Sequence, residues 1–291
     1  MLIVTGASGQ LGQAIVQNLL NLVPAERVGV SVRDPGKAGD LLARGVRVRA
    51  GNFADQASLT QAFDGATRVL IVSSNAAATG GDPLAQHRNA IDAARHAGVR
   101  RIFYTSHAAA DPGSAFPPAR DHAATEAMLA EAGVPWTALR HGFYAESAPM
   151  LMGDWQKTGK VVAPADGKVA WTTHADLAEA DARLLAGDDA PDGPTAPLTG
   201  SEALDLADLA RLAGDLTGAD VRRELIPDEA IAERMAARGA SSSAAAAALG
   251  LYIASRQGEF ATVDPSLERL LGRRPQSIRE VLANSILQLK K

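Results

Sequence analysis

The sequence predicts an α/β fold in which a doubly wound parallel sheet is joined to a smaller, mostly helical C-terminal lobe. Apolar segments of strand length alternate with amphipathic segments of helix length over residues 1–140, a pattern typical of parallel sheets with right-handed crossovers. The alternation weakens beyond Arg140, and helical segments dominate from Leu204 onwards. A glycine-rich turn at residues 6–12 separates the first strand from the first helix.

Six strands and five helices are predicted in this first part of the chain from apolar runs, helical spacing and turn residues. The predicted strands are residues 1–4, 28–32, 46–50, 68–72, 101–106 and 135–140. The predicted helices are residues 11–22, 36–44, 56–63, 84–97 and 119–132. Pro35 ends the second strand, Asp55 is a candidate N-cap and Gly98 a candidate helix terminator.

The second part of the chain is predicted to contain short strands followed by helices. Strands are expected at residues 160–163, 169–172 and near 196–198, and helices at 175–185, 204–216, 227–238, 241–254 and 277–289. We expect residues 1–147 to form a dinucleotide-binding domain, with 160–200 partly returning to it. Residues 148–291 are expected to form mainly a substrate-binding lobe over the carboxyl ends of the strands, where ligands bind in open α/β folds.

Composition limits the function classes. The 291 residues include 46% hydrophobic and 21% charged residues and no cysteine, which excludes disulfides, thiolate zinc sites and cysteine nucleophiles and fits a reducing cytosol. A net charge of -4 argues against a nucleic-acid or anionic membrane partner. Because no apolar run is long enough to span a bilayer, a cytoplasmic protein is expected, as a monomer or a homodimer.

The glycine turn predicts a dinucleotide site of the Rossmann type. Gly6 would allow a tight turn out of the strand, Gly9 would let backbone N–H groups approach a pyrophosphate, and Gly12 would let the helix lie close on the sheet. The first two glycines of this G-x-x-G-x-x-G pattern are one residue further apart than in the usual fingerprint. The dinucleotide site is therefore predicted mainly from the strand before the turn and the helix after it. The other residues expected to contact the cofactor here are Ser8, Gln10 and Leu11.

Residues after the second strand favour NADP over NAD. The position that usually selects between them holds Arg33, with Lys37 one helical turn beyond, and an arginine there binds the 2′-phosphate of NADP. Asp34 is the opposing observation, because an acid near this position favours NAD. We interpret Asp34 as a turn and N-cap residue before Pro35.

Two further pairs at strand ends are candidate cofactor contacts. Asn52 and Phe53 follow the third strand, where they would meet the edge and the face of an adenine, although a turn residue followed by a core aromatic explains them nearly as well. Ser73 and Ser74 follow the fourth strand, next to the expected nicotinamide end of the cofactor. As small polar residues in a loop, the two serines are also ordinary turn formers.

Five motifs together resemble one family. They are T-G-A-S-G-Q-L-G at 5–12, V-R-D-P-G-K at 32–37, Q-H-R-N-A-I-D-A-A at 86–94, Y-T-S at 104–106 and L-R-H-G-F-Y-A-E at 139–146. This set is similar to the atypical short-chain dehydrogenases, and within them to the NmrA-like, NADPH-dependent quinone oxidoreductases and the related triphenylmethane reductases. The resemblance implies a two-lobed NADPH-binding enzyme whose substrate sits between the lobes.

One motif of typical short-chain dehydrogenases is absent. They use Tyr-x-x-x-Lys, in which the lysine lowers the pKa of the tyrosine so that it exchanges a proton with a carbonyl oxygen. The corresponding helix here reads His122-Ala-Ala-Thr-Glu126, which argues against alcohol dehydrogenation and sugar epimerisation. A quinone makes a weaker demand, since it accepts hydride readily and the protein mainly aligns the reactants.

Aromatic residues after the sixth strand are candidates for that alignment. Phe143 would flank the nicotinamide, although core packing is an equally good explanation for it. Tyr144 is expected to be catalytic and to contact the substrate, together with His141 and, from a later segment, Trp171. The acceptor is therefore expected to be a quinone or another flat, aromatic molecule.

The end of the fifth strand holds a second candidate group. His107 falls in the following loop and would donate a proton, Ser106 is expected to contact the cofactor, and Tyr104 is either catalytic or part of the core. His122 lies where the missing tyrosine would be. Ser106 lacks the G-x-S-x-G context of a hydrolase, and the six histidines show no metal-ligand spacing.

Two alternatives stay open at this stage. Some NmrA-like proteins bind the dinucleotide and report redox state to a partner, and a missing Tyr-Lys pair fits such a non-catalytic regulator as well. Reduction of a double bond, as in isoflavone-reductase-like enzymes, is the other alternative. The NADPH-dependent quinone reductase is the function that the sequence favours, since Tyr144 and the terminal lobe suit turnover.

Overall fold

The structure is a computed structural model that describes residues 1–237 and 239–288. The described chain divides into two compact units, each built from several separate segments. The first unit contains residues 1–107, 121–140 and 174–196. The second contains residues 108–120, 141–173 and the described residues from 197 onwards. The functional domain boundary expected near residue 147 stays a prediction.

The strands and helices number in chain order as follows. The strands are β1 (Leu2–Thr5), β2 (Val28–Val32), β3 (Arg47–Ala50), β4 (Arg68–Ile71), β5 (Arg101–His107), β6 (Trp136–His141), β7 (Lys160–Ala163), β8 (Gly193–Pro194) and β9 (Arg222–Leu225). The first eight helices are α1 (Gln10–Leu22), α2 (Gly39–Ala43), α3 (Gln56–Phe63), α4 (Pro83–His96), α5 (Pro117–Glu131), α6 (Ala148–Met152), α7 (Trp155–Thr158) and α8 (His174–Ala186). The others are α9 (Leu206–Thr217), α10 (Glu229–Ala237), α11 (Ser242–Arg256), α12 (Ser266–Leu271) and α13 (Ile278–Gln288).

A parallel sheet forms the centre of the first unit, as predicted. Within the described residues its strand order is β3-β2-β1-β4-β5-β6-β8, and β1 is an interior strand, with Ile3 paired to Gly29 on one side and to Val69 on the other. All four residues of β1 are buried. The chain runs outwards from β1 to β3 and then returns to β4, so the strand order reverses between β1 and β4. In doubly wound sheets, ligands bind at this reversal, outside the carboxyl ends of the strands.

Predicted capping residues fix the helix ends in the first unit. The Asp55 carboxylate accepts hydrogen bonds from the N–H groups of Ala57 and Ser58 at the start of α3, as the sequence predicted. Gly98 follows α4 with a φ of 68°, a left-handed conformation that a glycine adopts without strain. Helices α1 and α8 of the same unit pack against each other.

The second unit is mostly helical, which confirms the prediction for the C-terminal lobe. Its small sheet pairs β7 with β9 in parallel, and its core includes Trp155, Trp171, Tyr252 and Phe260. Asp205 opens α9 with a capping box that it shares with Asp208. The strand expected at 169–172 is reduced to two isolated bridges.

Three differences from the predicted elements have physical causes. The strand predicted near 196–198 is reduced to an isolated bridge between Leu198 and His141, and β8 forms earlier, at Gly193–Pro194, because Pro197 has no N–H to donate to a ladder. Strand β9 was missed because its sequence, R-R-E-L, lacks the apolar alternation that marks a strand. The helix expected at 36–44 is a 3-10 turn (Pro35–Ala38) followed by the short α2.

Two of the predicted helices extend beyond the residues that the structure describes. The predicted helix ends at Arg238 and Leu289 lie outside the described residues. Among the residues that are described, none of the helices is both long and apolar enough to cross a membrane.

Candidate active site

The glycine turn connects β1 directly to α1. Gly6 has a φ of 62°, in the left-handed region that favours glycine, and its carbonyl oxygen accepts a hydrogen bond of 2.9 Å from the N–H of Gly9. Gly9 is the N-cap of α1, with an ordinary extended backbone. The turn therefore leaves β1 at a sharp angle and starts the helix at the strand reversal.

Gly12 and Gly9 differ in how much space a side chain would have. A Cβ on Gly12 would overlap the carbonyl oxygen of Gly6 and lie 2.8 Å from its carbonyl carbon, so α1 approaches the turn too closely for any side chain. A Cβ on Gly9 would meet nothing nearer than the Gly6 oxygen at 3.4 Å, which is ordinary contact. The fold thus demands Gly12, whereas Gly9 keeps clear the space in front of the helix.

The first turn of α1 presents the donors that a phosphate needs. The N–H groups that open a helix have no acceptor within the helix, and Gly9 contributes no capping side chain. Gly9 and Gln10 are exposed, while the Leu11 side chain is buried in the core. Exposed N–H groups at the positive end of a 13-residue helix suit a pyrophosphate, so this turn fits the predicted cofactor.

The segment after β2 is as expected for a phosphate-binding arginine. Arg33 is exposed, and it forms no ion pair with any residue in the described part of the chain. Asp34 accepts a hydrogen bond of 3.0 Å from the N–H of Gly36 and lies 3.8 Å from the exposed Lys37 ammonium. Its interpretation as the N-cap of the following turn is confirmed.

Asn52 and Phe53 have structural partners after β3. The Asn52 side-chain oxygen accepts a hydrogen bond of 3.0 Å from the N–H of Ala54, and Phe53 packs, partly buried, on the core of the first unit. Its carbonyl oxygen accepts a 2.8 Å hydrogen bond from Asn89. These contacts build the turn, and the role of both residues towards a cofactor stays a prediction.

Ser74, after β4, joins a chain of hydrogen bonds through the buried His87. The Ser74 N–H donates to His87 Nε2 at 2.8 Å, and the Ser74 hydroxyl donates to Gln86 at 2.6 Å. The other ring nitrogen of His87 lies 2.9 Å from the Thr125 hydroxyl, which donates to the backbone oxygen of Asp121 at 2.8 Å. This chain links the end of β4 to both α4 and α5.

The hydrogen bonds determine the form of His87. A backbone N–H only donates, so Nε2 accepts and the proton of the neutral ring lies on Nδ1, from which it is donated to Thr125. Burial lowers the pKa of His87 to about 4, because a charged imidazolium is poorly solvated there. His87 is therefore a neutral positioning group.

Ser73, also after β4, and Ser106, near the end of β5, are held in the same way. The Ser73 N–H donates to the Thr105 hydroxyl at 2.8 Å. Ser106 is buried, and its hydroxyl donates to Glu126 at 2.6 Å. Glu126 in turn forms an ion pair of 2.7 Å with Arg140, so the Ser106 hydroxyl is committed to a carboxylate on α5.

Tyr104, His122 and His107 lie together at the end of β5. The Tyr104 hydroxyl is 2.7 Å from His122 Nδ1, and the rings of His107 and His122 stack at 6.1 Å with an interplanar angle of 27°. Tyr104 is fully buried, at 0% exposure, whereas both histidines are partly exposed. A direct contact between the Tyr104 hydroxyl and a substrate is thus prevented in this structure.

The candidate substrate residues of the second unit differ in exposure. His141 and Trp171 are buried, at 1% and 4% exposure, and the Trp171 indole N–H donates to the oxygen of Leu204 at 2.9 Å. Phe143 packs among aromatic rings, with Phe260 at 5.2 Å. Tyr144, like Phe143, is partly exposed, and its ring lies 6.3 Å from that of His141.

Four positioning residues were not singled out from the sequence: His87, Thr125, Glu126 and Arg140. Their partners lie between 13 and 38 residues away, so no local spacing identifies them. The Q-H-R-N motif contained His87, but only the structure gives it a partner. Among the described residues, no group of three or more His, Asp or Glu side chains is arranged to hold a metal ion.

Comparisons with known proteins agree with this arrangement. A model of the NAD(P)H-binding family matches residues 6–187. Quinone oxidoreductase 2 of Escherichia coli is 33% identical over 288 residues, 98% of each chain, and an NmrA-like family domain-containing oxidoreductase of Aspergillus flavus is 30% identical over 98% of this chain and 95% of its own.

Solved structures give the same result. The Escherichia coli NADPH-dependent quinone oxidoreductase in complex with NADPH superimposes with a TM-score of 0.89 at 33% identity, over 98% of this chain and all of its own. The triphenylmethane reductase of Citrobacter sp. superimposes with a TM-score of 0.86 at 29% identity, over 99% of each chain. The resemblance inferred from the five motifs is therefore confirmed.

The two glycines of the turn should respond differently to alanine. Gly12→Ala should lower the free energy of unfolding by about 1 to 3 kcal/mol, because its Cβ overlaps backbone that has no room to move. Gly9→Ala should leave stability unchanged and weaken NADPH binding about tenfold or more. Urea unfolding and fluorescence titration measure the two effects. Wild-type affinity in Gly9→Ala would place the pyrophosphate elsewhere.

His87 should make the protein less stable in acid. The unfolded histidine takes up a proton near pH 6.5, whereas the pKa of about 4 in the folded state keeps His87 neutral, so the stability contributed by His87 is lost as pH falls between those values. At pH 4.5 this loss should amount to about 2 to 3 kcal/mol. The free energy of unfolding, measured in urea for wild type and His87→Gln at pH 7 and pH 4.5, isolates the contribution of His87. Glutamine retains a donor and an acceptor but does not titrate. Equal pH dependence in the two proteins contradicts the assignment.

Proposed function

This chain belongs to the NAD(P)H-binding family, and we propose that it uses NADPH to reduce quinones or similar flat, electron-poor acceptors by direct hydride transfer. The observation that carries the proposal is the open N-terminus of α1 at the strand reversal, in a chain that resembles a quinone oxidoreductase over nearly its whole length. NADPH, when bound, supplies the hydride and both electrons.

The residues proposed to hold the cofactor follow the strand ends. The N–H groups of Gly9 and Gln10 would bind the pyrophosphate, and Arg33 with Lys37 would bind the 2′-phosphate. Ser73 and Ser106 would lie towards the nicotinamide. Fixed hydroxyls suit this role, because a rigid polar wall orients a ring without reorganising.

The absence of one catalytic motif from the sequence favours a reactive acceptor. With no Tyr-x-x-x-Lys motif, the protein has no standard means of activating an unreactive ketone or alcohol. A quinone is reactive enough that alignment provides most of the catalysis. We assign the aromatic contact with the acceptor to Tyr144, whose ring is partly exposed, and we give Trp171 and His141 the role of supporting it from the core.

Purified protein should oxidise NADPH when a quinone is added. We expect turnover with benzoquinones and naphthoquinones, and little with simple ketones, followed by the fall in NADPH absorbance. If NADPH binds and no quinone is reduced, the proposal is wrong. Copurification of a protein partner would then favour the regulator, and turnover of conjugated double bonds alone would favour double-bond reduction.

Arg33 should determine the preference for NADPH. Arg33→Ala should raise KM for NADPH about tenfold or more and leave KM for NADH nearly unchanged, because only NADPH carries the 2′-phosphate. Arg100→Ala is the matched control, since Arg100 is also exposed but precedes β5 and so lies at the opposite end of the parallel strands. An equal effect on both cofactors would remove Arg33 from the phosphate site.

A further inference from the structure

We propose that His122 is the proton donor to the reduced acceptor and that Tyr104 positions it, a proposal that rests on the quinone reductase function above. The pair takes the place of the missing Tyr-Lys motif, but with the phenol supplied by β5 and the titrating group by α5. His122 is the catalytic residue and Tyr104 the positioning residue in this assignment.

Exposure separates the two roles. The Tyr104 hydroxyl lies 2.7 Å from His122 Nδ1, yet Tyr104 is fully buried and exchanges protons with nothing outside the protein directly. His122 is partly exposed. A group that delivers a proton to a substrate and regains it from water must reach both, and in this pair only the imidazole does.

The face of α5 that carries His122 also carries Thr125 and Glu126, and both of these side chains form hydrogen bonds to neighbouring elements. His122, Thr125 and Glu126 have the spacing of i, i+3 and i+4, which places them on one side of the helix. Thr125 is bonded to His87 and Glu126 to Ser106. These bonds fix the register of α5 against β5, and therefore fix where His122 meets Tyr104.

Glu126 does not act as the lysine of the standard motif would. It stands four residues after His122, as the lysine stands after its tyrosine, but it is an acid, it is nearly buried, and Arg140 pairs with it at 2.7 Å. The helix therefore offers no cation that would lower the pKa of a tyrosine. The proton donor of this site has to be a group that is acidic near neutral pH without such help, and histidine is that group.

Neighbouring rings orient the pair. The His87 ring meets Tyr104 edge-on at a centroid distance of 5.2 Å, and His87 is itself fixed by Ser74 and Thr125. His107 stacks on the other member, His122. Tyr104 therefore has a defined ring position, and a protonated His122 would donate its Nδ1 hydrogen to the Tyr104 oxygen, leaving the Nε2 proton for the acceptor.

In the proposed step the quinone receives a hydride and a proton from different donors. The quinone gains a hydride, and with it two electrons, from the reduced dinucleotide, which becomes the oxidised dinucleotide. A carbonyl oxygen of the quinone takes the Nε2 proton of the His122 imidazolium, giving the hydroquinone. His122 is left as a neutral imidazole that keeps its proton on Nδ1, hydrogen-bonded to the Tyr104 oxygen, and it regains the Nε2 proton from water.

Several titratable side chains surround His122 and bear on its pKa. Tyr104 and His107 of β5 lie against His122, His87 of α4 contacts Tyr104, and Asp121 and Glu126 are one and four residues from His122 on α5. His87 is neutral and Glu126 is paired with Arg140. The expected pH dependence is that of an acid: quinone turnover is constant while His122 is protonated and falls as pH rises through its pKa.

His122→Gln tests the donor directly. We expect kcat for quinone to fall about tenfold to a hundredfold and its pH dependence to disappear, with Kd for NADPH unchanged. Reduction of a triarylmethane cation needs a hydride and no proton, so it should keep its wild-type rate. His96→Gln, at an exposed histidine of α4, is the matched control and should behave as wild type.

Tyr104→Phe tests the positioning role without turnover. Loss of the oxygen that accepts from Nδ1 should lower the pKa of His122 by about half a pH unit or more, as measured by NMR on the cofactor-free protein, and should shift the kinetic pKa equally. The kinetic pKa of the wild type should equal the pKa of His122 found by NMR.

Four outcomes would overturn the assignment. Unchanged quinone turnover in His122→Gln would show that water suffices as the donor. Equal loss of quinone and triarylmethane reduction with intact NADPH binding would show that His122 acts in alignment. A kinetic pKa that differs from that of His122 would assign the proton to another group. A wild-type protein that binds NADPH and reduces no quinone would remove the proposed function and this step with it.

Discussion

The close approach of α1 to the turn that precedes it is the constraint from which the rest of the site follows. Gly12 lies so near the carbonyl of Gly6 that a side chain has no space, and the helix therefore begins immediately beyond β1. Because β1 is an interior strand and the order reverses beside it, the positive end of the helix is directed to the crevice in which open sheets bind ligands. The candidate cofactor residues at 33–37, 52–53 and 73–74 each follow a strand of this same sheet.

A second level of organisation comes from hydrogen bonds between those strand ends and α5. His87 joins the segment after β4 to Thr125, and Ser106 joins the end of β5 to Glu126. Buried polar groups of this kind are costly unless each is paired. Once paired, they specify a single arrangement, and here they specify which face of α5 lies against the strand ends.

The sequence was sufficient for the features that depend on neighbouring residues. Apolar runs predicted β1 to β6, Asp55 and Gly98 predicted helix ends, and the order Asp34-Pro35 predicted a cap, because each of these depends on a few adjacent residues. β9 is charged and β8 has two residues, so neither carries an apolar pattern. The partnership of Tyr104 with His122 spans 18 residues and depends on how a helix lies on a sheet, which no local pattern encodes.

The exposure of Tyr104 is the point at which structure changes the interpretation of the sequence most. From sequence, His107 is the candidate proton donor, Tyr104 is either catalytic or part of the core, and His122 is a weaker candidate. Burial favours His122 over Tyr104, since a phenol without solvent access transfers a proton only through a neighbour, and His122 lies within hydrogen-bond distance of it. No lysine occurs between Lys37 and Lys157, so the sequence around this strand supplies no ammonium to acidify the phenol. A site with these parts suits an acceptor that needs a proton near neutral pH and little other activation, which is the chemistry of a quinone.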